Sequence, residues 1–184
     1  MVASTTLLAS RGSSAGFSLD AAAKAAGVTR LTVYNQFGSR RALLEAVFDD
    51  IAARGGLSRL ANAMADPNPR EGLDSLIAVF CEFWSFRREA MGRLEAESVS
   101  DPEFAEILGA RNARRRQALS VLVGRLVKRA GARASGDLVD VLFALTGYPF
   151  FAALTAGGRS TTAACAMIQA LGQDAVARAA PPPG

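Results

Sequence analysis

Val33 and Phe37 stand one helical turn apart, and a helix that buries both turns Arg30, Leu31, Thr32, Tyr34 and Asn35 outward. A guanidinium, a hydroxyl, a phenol, an amide and an isolated aliphatic side chain on one short exposed face are groups that can touch the edges and phosphates of a nucleic acid. Just downstream, Arg40 and Arg41 follow Ser39, a good N-cap residue, and so sit on a helix N-terminus. Cations there oppose the helix dipole, which is poor for stability and suitable where a phosphate approaches the same N–H groups.

Short helices must hold this row in place. Ser18 is an N-cap ahead of the Ala-rich run Leu19 to Ala26, whose small side chains let a second helix come close. Gly27 can take positive φ and reverse the chain in one step, so that Val28 tucks back into the angle between the helices. Thr29 caps the next helix, Gly38 ends it, and Leu43, Leu44, Val47, Phe48 and Ile51 form an apolar stripe on a longer helix behind it. Two short helices around a glycine turn, backed by an amphipathic third, are the layout of a helix-turn-helix.

The run AGVTRLTVYNQFGSRRALLEAV resembles the signature of the tetracycline-repressor-like (TetR) family of bacterial transcriptional regulators. The resemblance covers about the first third of the chain; beyond it only length and helical character agree. It implies that the helix over residues 29–36 enters the major groove of double-stranded DNA, with Thr29, Arg30, Leu31, Thr32 and Asn35 near bases and with Tyr34 and Arg40 on phosphates. It also implies a larger aliphatic where Ala22 stands, and a longer first helix than Val2 to Ser10, which therefore reads as truncated before the Gly12 to Phe17 connection.

Half of the 184 residues are hydrophobic, enough for a real core. The net charge of +4 permits nucleic-acid binding without establishing it; the motif is the stronger sign. The chain has no histidine, which removes His-based triads and common zinc sites; with no phosphate loop or dinucleotide fingerprint either, we expect no enzyme and no cofactor or metal. Cys81 and Cys165 lie far apart in apolar contexts without metal-ligand spacing, and a reducing cytoplasm is the expected location. Val141 to Gly158 lacks charges but contains Gly147, Pro149, Gly157 and Gly158, and reads as a buried interface helix, not a membrane span.

The chain therefore reads as all-α: a helix-turn-helix DNA-binding domain over 1–54, a helical ligand-binding and dimerisation domain over 55–180, and a flexible tail over 181–184. Helices are expected over 57–65, 71–88, 90–99, 103–130, 137–156 and 161–178, with Pro149 kinking or ending its helix near Tyr148. Over 71–88 the apolar surface is too wide for one helix–helix seam. Together with the family resemblance it makes Phe80, Phe83, Trp84 and Met91, with Phe104, Phe143 and Tyr148 opposite, candidates to line a cavity for a small hydrophobic effector. Plain core packing explains the same aromatic spacing equally well. The last two helices are poor in charge and apolar on more than one face, so a homodimer through residues 137–178 is expected, with Phe143, Phe151, Leu154 and Met167 buried in it. The run Arg111, Arg114, Arg115 and Arg116 reads as a solvated helix face. The expected function is a ligand-responsive repressor acting as a homodimer on a pseudo-palindromic operator; the alternative is a small-molecule-binding dimer with weak or vestigial DNA binding.

Overall fold

Helix after helix follows Ser18, with no strand among the described residues, which in the computed structural model are 18–86, 88–128 and 131–180. The short first helix over Val2 to Ser10, the Gly12 to Phe17 connection and the tail over 181–184 lie outside them. The helices are α1 (Leu19–Ala26), α2 (Arg30–Phe37), α3 (Arg40–Arg54), α4 (Leu60–Ala65, entered through a 3-10 turn at Leu57–Arg59), α5 (Pro69–Phe86), α6 (Arg88–Ser100), α7 (Pro102–Leu126), α8 (Ala132–Leu145), α9 (Tyr148–Ala156) and α10 (Thr161–Ala179).

The described residues form two compact units that are not consecutive in sequence: residues 18–54 group with 89–110, and residues 55–86 and 88 with 111–128 and 131–180. Residues 89–110, which the sequence places with the ligand-binding part, therefore belong with the helix-turn-helix. In the first unit Leu43, Leu44, Val47, Phe48 and Ile51 of α3 are buried, as are Met91 and Leu94 of α6 and Phe104 and Ile107 of α7. The Phe48 and Phe104 rings lie 5.3 Å apart, centroid to centroid.

In the second unit α5 packs on α4 and α10, and α10 on α8 and α9. Leu73, Leu76, Ile77, Leu122, Leu142, Phe151 and Ile168 form its buried centre. Proline and glycine set its joints. Pro69 opens α5 where its missing N–H costs nothing. The expected single helix over 137–156 is two, because α8 ends at Leu145 and Pro149 takes the first turn of α9. No single helix among the described residues is long and apolar enough to cross a membrane; α8 and α9 reach that length and composition only as a pair bent by 49°.

Gly72 shows how closely α4 and α5 approach: a Cβ there would stand 2.6 Å from the carbonyl oxygen of Ala63. Backbone cannot step aside as a flexible side chain can, so Gly72→Ala is expected to destabilise the second unit by about 1 to 3 kcal/mol. Gly124→Ala, on α7 with open space around the added methyl, should instead stabilise by up to about 1 kcal/mol. Urea unfolding of the two variants side by side checks both signs.

Candidate nucleic-acid interface

Local hydrogen bonds build the reading head. The Ser18 hydroxyl accepts from Ala21 N–H at 3.1 Å and starts α1. At its other end Gly27 sits at φ 66°, the Val28 N–H reaches back to the Ala23 carbonyl at 3.0 Å, and the Gly27 N–H reaches the Lys24 carbonyl at 3.3 Å. This double closure is a Schellman turn, and its usual apolar contact joins the residue after the glycine to the one five positions earlier in the chain. That earlier residue is Ala23, too small to cover its partner, so Val28 stays 44% exposed instead of tucking between the helices. Ala22 and Ala23 are both buried, which keeps α1 against α2.

Thr29 caps α2, its hydroxyl accepting from Thr32 N–H at 3.1 Å and lying 2.9 Å from the Thr32 hydroxyl. Gly38, at φ 73°, closes the helix by donating to the Tyr34 carbonyl at 2.7 Å. Only Val33 of α2 is buried, and Thr29, Arg30, Leu31, Thr32, Tyr34 and Asn35 are all exposed. Leu31 is 65% and Tyr34 53% exposed, a large outlay of apolar and aromatic surface on one short helix. Arg30 reaches Asp20 at 3.4 Å, but with both side chains about two-thirds exposed that pair contributes little.

Arg40 is placed differently from the outward row. Its guanidinium pairs with Asp101 and Glu103, and Arg41 bonds Glu106 at 2.9 Å and Glu45 at 3.2 Å. The carboxylates at the α6–α7 junction, within the same compact unit, thus offset the cations that the sequence left unbalanced on the N-terminus of α3. Asp101 also caps α7, accepting from Phe104 N–H at 3.1 Å.

The Arg40 guanidinium, helped by that amide, holds the Asp101 carboxyl below its usual range. A depressed folded value means stability that is present above the unfolded carboxylate range and lost with acid, from about pH 4 down to the folded value. Asp101→Asn keeps an oxygen for the cap and removes the charge, so it should flatten this acid loss. Asp101→Ala also removes the cap, for about 1 kcal/mol more at neutral pH. Melting the three proteins between neutral and acid pH checks the order.

The candidate effector residues divide between the two units. Phe80, Phe83, Trp84 and Tyr148 stand together in the second: Trp84 lies 6.0 Å from Phe80, 4.7 Å from Phe83 and 5.7 Å from Tyr148, ring centroid to centroid. The Trp84 indole donates to the Thr146 carbonyl at 3.0 Å, and Tyr148 donates to the Arg88 carbonyl at 3.0 Å. Phe143 lies under the guanidinium groups of Arg115, at 4.0 Å, and Arg116, at 4.6 Å. Met91 and Phe104 are core residues of the first unit, Phe104 wholly enclosed, and do not join that group.

Two further expectations change. Arg115 is not on a solvated face: it donates to the Phe143 carbonyl at 2.9 Å and the Thr146 hydroxyl at 3.0 Å, satisfying the end of α8. Phe151, expected in a dimer interface, is already fully enclosed within one chain, while Phe143, Leu154 and Met167 are half-buried. An arginine's long reach and the packing of α9 against α10, which encloses Phe151, join residues distant in sequence, and neither has a period in it.

Residues 1–47 match the family model of bacterial regulatory proteins, tetR family. The HTH-type transcriptional regulator AlkX of Mycobacterium tuberculosis (strain ATCC 25618 / H37Rv) is 32% identical over 125 residues, 67% of this chain and 53% of AlkX, so the chain spans about half the length of this curated relative. A TetR-like transcriptional regulator from Rhodococcus sp. RHA1 superposes with a TM-score of 0.67 at 20% identity, over 95% of this chain and 91% of that one. Another Rhodococcus sp. Rha1 transcriptional regulator gives 0.69 at 17% identity, over 98% and 97% of the two chains. At such identities these two establish the fold, and with the sequence match over the reading head they assign the molecule: the chain belongs to the tetR family of bacterial regulatory proteins.

Proposed function

We propose that the protein is an effector-responsive repressor that binds a pseudo-palindromic operator as a homodimer. The observation that carries this reading is the exposed row along α2 and its N-cap. Thr32 and Asn35 supply hydrogen-bonding groups for base edges, Leu31 an apolar contact of the kind a thymine methyl takes, and Tyr34 a phenol for phosphate. Thr29 and Arg30 lie beside them at the N-terminal end of the helix, the end that approaches bases in this motif. A two-fold dimer on B-DNA needs its recognition helices about 34 to 36 Å apart, so an effector that favours another spacing releases the operator. The pairing surface is assigned to residues 137–178, where Val141 is 44% exposed, and the effector, small and hydrophobic, to the aromatic group around Trp84.

Arg40 reaches a phosphate only by exchanging Asp101 and Glu103 for it. Tyr34→Phe should therefore weaken binding to all sequences alike without lowering stability, whereas Arg40→Ala lowers both. Thr32→Ala and Asn35→Ala should change sequence preference, by about 1 to 3 kcal/mol of discrimination at each base position. Operator selection with the purified protein, followed by titration across salt concentrations, tests these assignments. An unchanged preference in both α2 variants would refute the reading of α2.

The carboxylates engaging Arg40 and Arg41 favour a second reading, a small-molecule-binding dimer with weak DNA affinity. Ligand-dependent stabilisation with no salt-sensitive DNA binding would establish it over the first.

A further inference from the structure

Cys81 and Cys165, far apart in the chain, come face to face across the seam between α5 and α10. The register is fixed from both ends. Gln173 donates to the Arg70 carbonyl at 3.1 Å and to the Asp74 carboxylate at 2.9 Å, and Gln169 donates to the Asp74 carbonyl at 3.0 Å. At the other end the hydroxyls of Ser85 and Thr161 are 3.0 Å apart. One turn before Ser85 is Cys81, and one turn beyond Thr161 is Cys165. The helices run close along this seam, since a Cβ on Gly172 would stand 3.1 Å from the Ile77 methyl.

Both thiols are free, Cys81 buried and Cys165 half-buried, and the helix register sets them opposite each other. We propose that this pair is a modification site for hydroperoxides, which oxidise it to a disulfide joining α5 to α10. Cys165 is the attacking sulfur because it is the reachable one. The Cys81 thiol beside it lowers the Cys165 thiol against the effect of burial, while the Cys165 thiol, together with burial, pushes the Cys81 thiol up.

In the first step the Cys165 sulfur attacks one oxygen of the peroxide and the O–O bond breaks; the thiol proton leaves with the other oxygen as water or alcohol, and Cys165 becomes a sulfenic acid. In the second, the Cys81 sulfur attacks Sγ of Cys165, the S–OH bond breaks, and the Cys81 proton leaves with that hydroxyl as water. The two thiols give up two electrons in all and the peroxide takes them up. Cys81 thus acts as the resolving thiol, protected from solvent until Cys165 has reacted.

Hydrogen peroxide added to the reduced, full-length protein tests this. Both free thiols should disappear together, the intact mass should fall by about 2 Da, and non-reducing digestion should release the Cys81 and Cys165 peptides as one linked species. Dithiothreitol should restore both thiols. Cys81→Ser should halt at a Cys165 sulfenic acid trappable by dimedone, and Cys165→Ser should slow loss of the remaining thiol by about tenfold or more. Persistence of both thiols, a mass gain with no link, or a link between two chains would overturn the proposal, and wild-type protein alone distinguishes these results if either variant fails to fold.

Discussion

Phe104→Ala is expected to cost the first unit about 3 to 5 kcal/mol, the range for emptying a fully buried aromatic site. Phe104 has no exposed surface and its ring stacks obliquely against Phe48 of α3, the helix that backs the reading head. A small unit has little stability to spare, so a loss of this size brings it near its unfolding threshold, and the operator binding proposed above should go with it. Trp84, the one tryptophan of the chain, lies in the second unit and supplies a separate signal. Far-UV melting should drop sharply while the tryptophan transition moves less. Loss of effector affinity with an unchanged melt would instead return Phe104 to a ligand cavity.

Trp84→Ala should destabilise the second unit by about 3 kcal/mol, at the lower end of the range for large aromatic truncations because the side chain is half-buried. It removes the ring at the centre of Phe80, Phe83 and Tyr148, and strips the Thr146 carbonyl of its indole donor. Trp84→Phe keeps most of the apolar surface and loses only the donor, so about 1 to 3 kcal/mol is expected for the carbonyl left unpaired. Chemical denaturation orders the two variants. If both also reduce the response to hydrophobic ligands beyond what their stabilities explain, the cluster lines a cavity as well as packing the unit.

The reading head was legible because every contact that shapes it is local. Ser18, Gly27, Thr29 and Gly38 act on amides and carbonyls within five residues, so residue type and spacing give the caps, the positive φ angles and the outward row. Even there Val28 was misplaced, since whether an apolar residue tucks away depends on the size of its partner. Helix positions beyond Arg54 were also largely legible, from periodicity and from proline and glycine breaks. Gly136 is an exception: a break was expected across it, yet α8 already starts at Ala132, with the Ser135 N–H bonded to the Gly131 carbonyl at 3.0 Å.

Periodicity says which face of a helix is apolar and nothing about which other helix meets it. The sequence by itself therefore determined an all-helical chain with a capped, solvent-facing recognition helix, and through that motif the family. Only the tertiary structure decided that residues 89–110 belong with the reading head, that Asp101 and Glu103 engage Arg40, that Arg115 satisfies the end of α8, and that Cys81 faces Cys165. Each of these joins residues that are distant in sequence, and its formation depends on the register of helices packed across long loops of chain. Local propensity carries no record of that register.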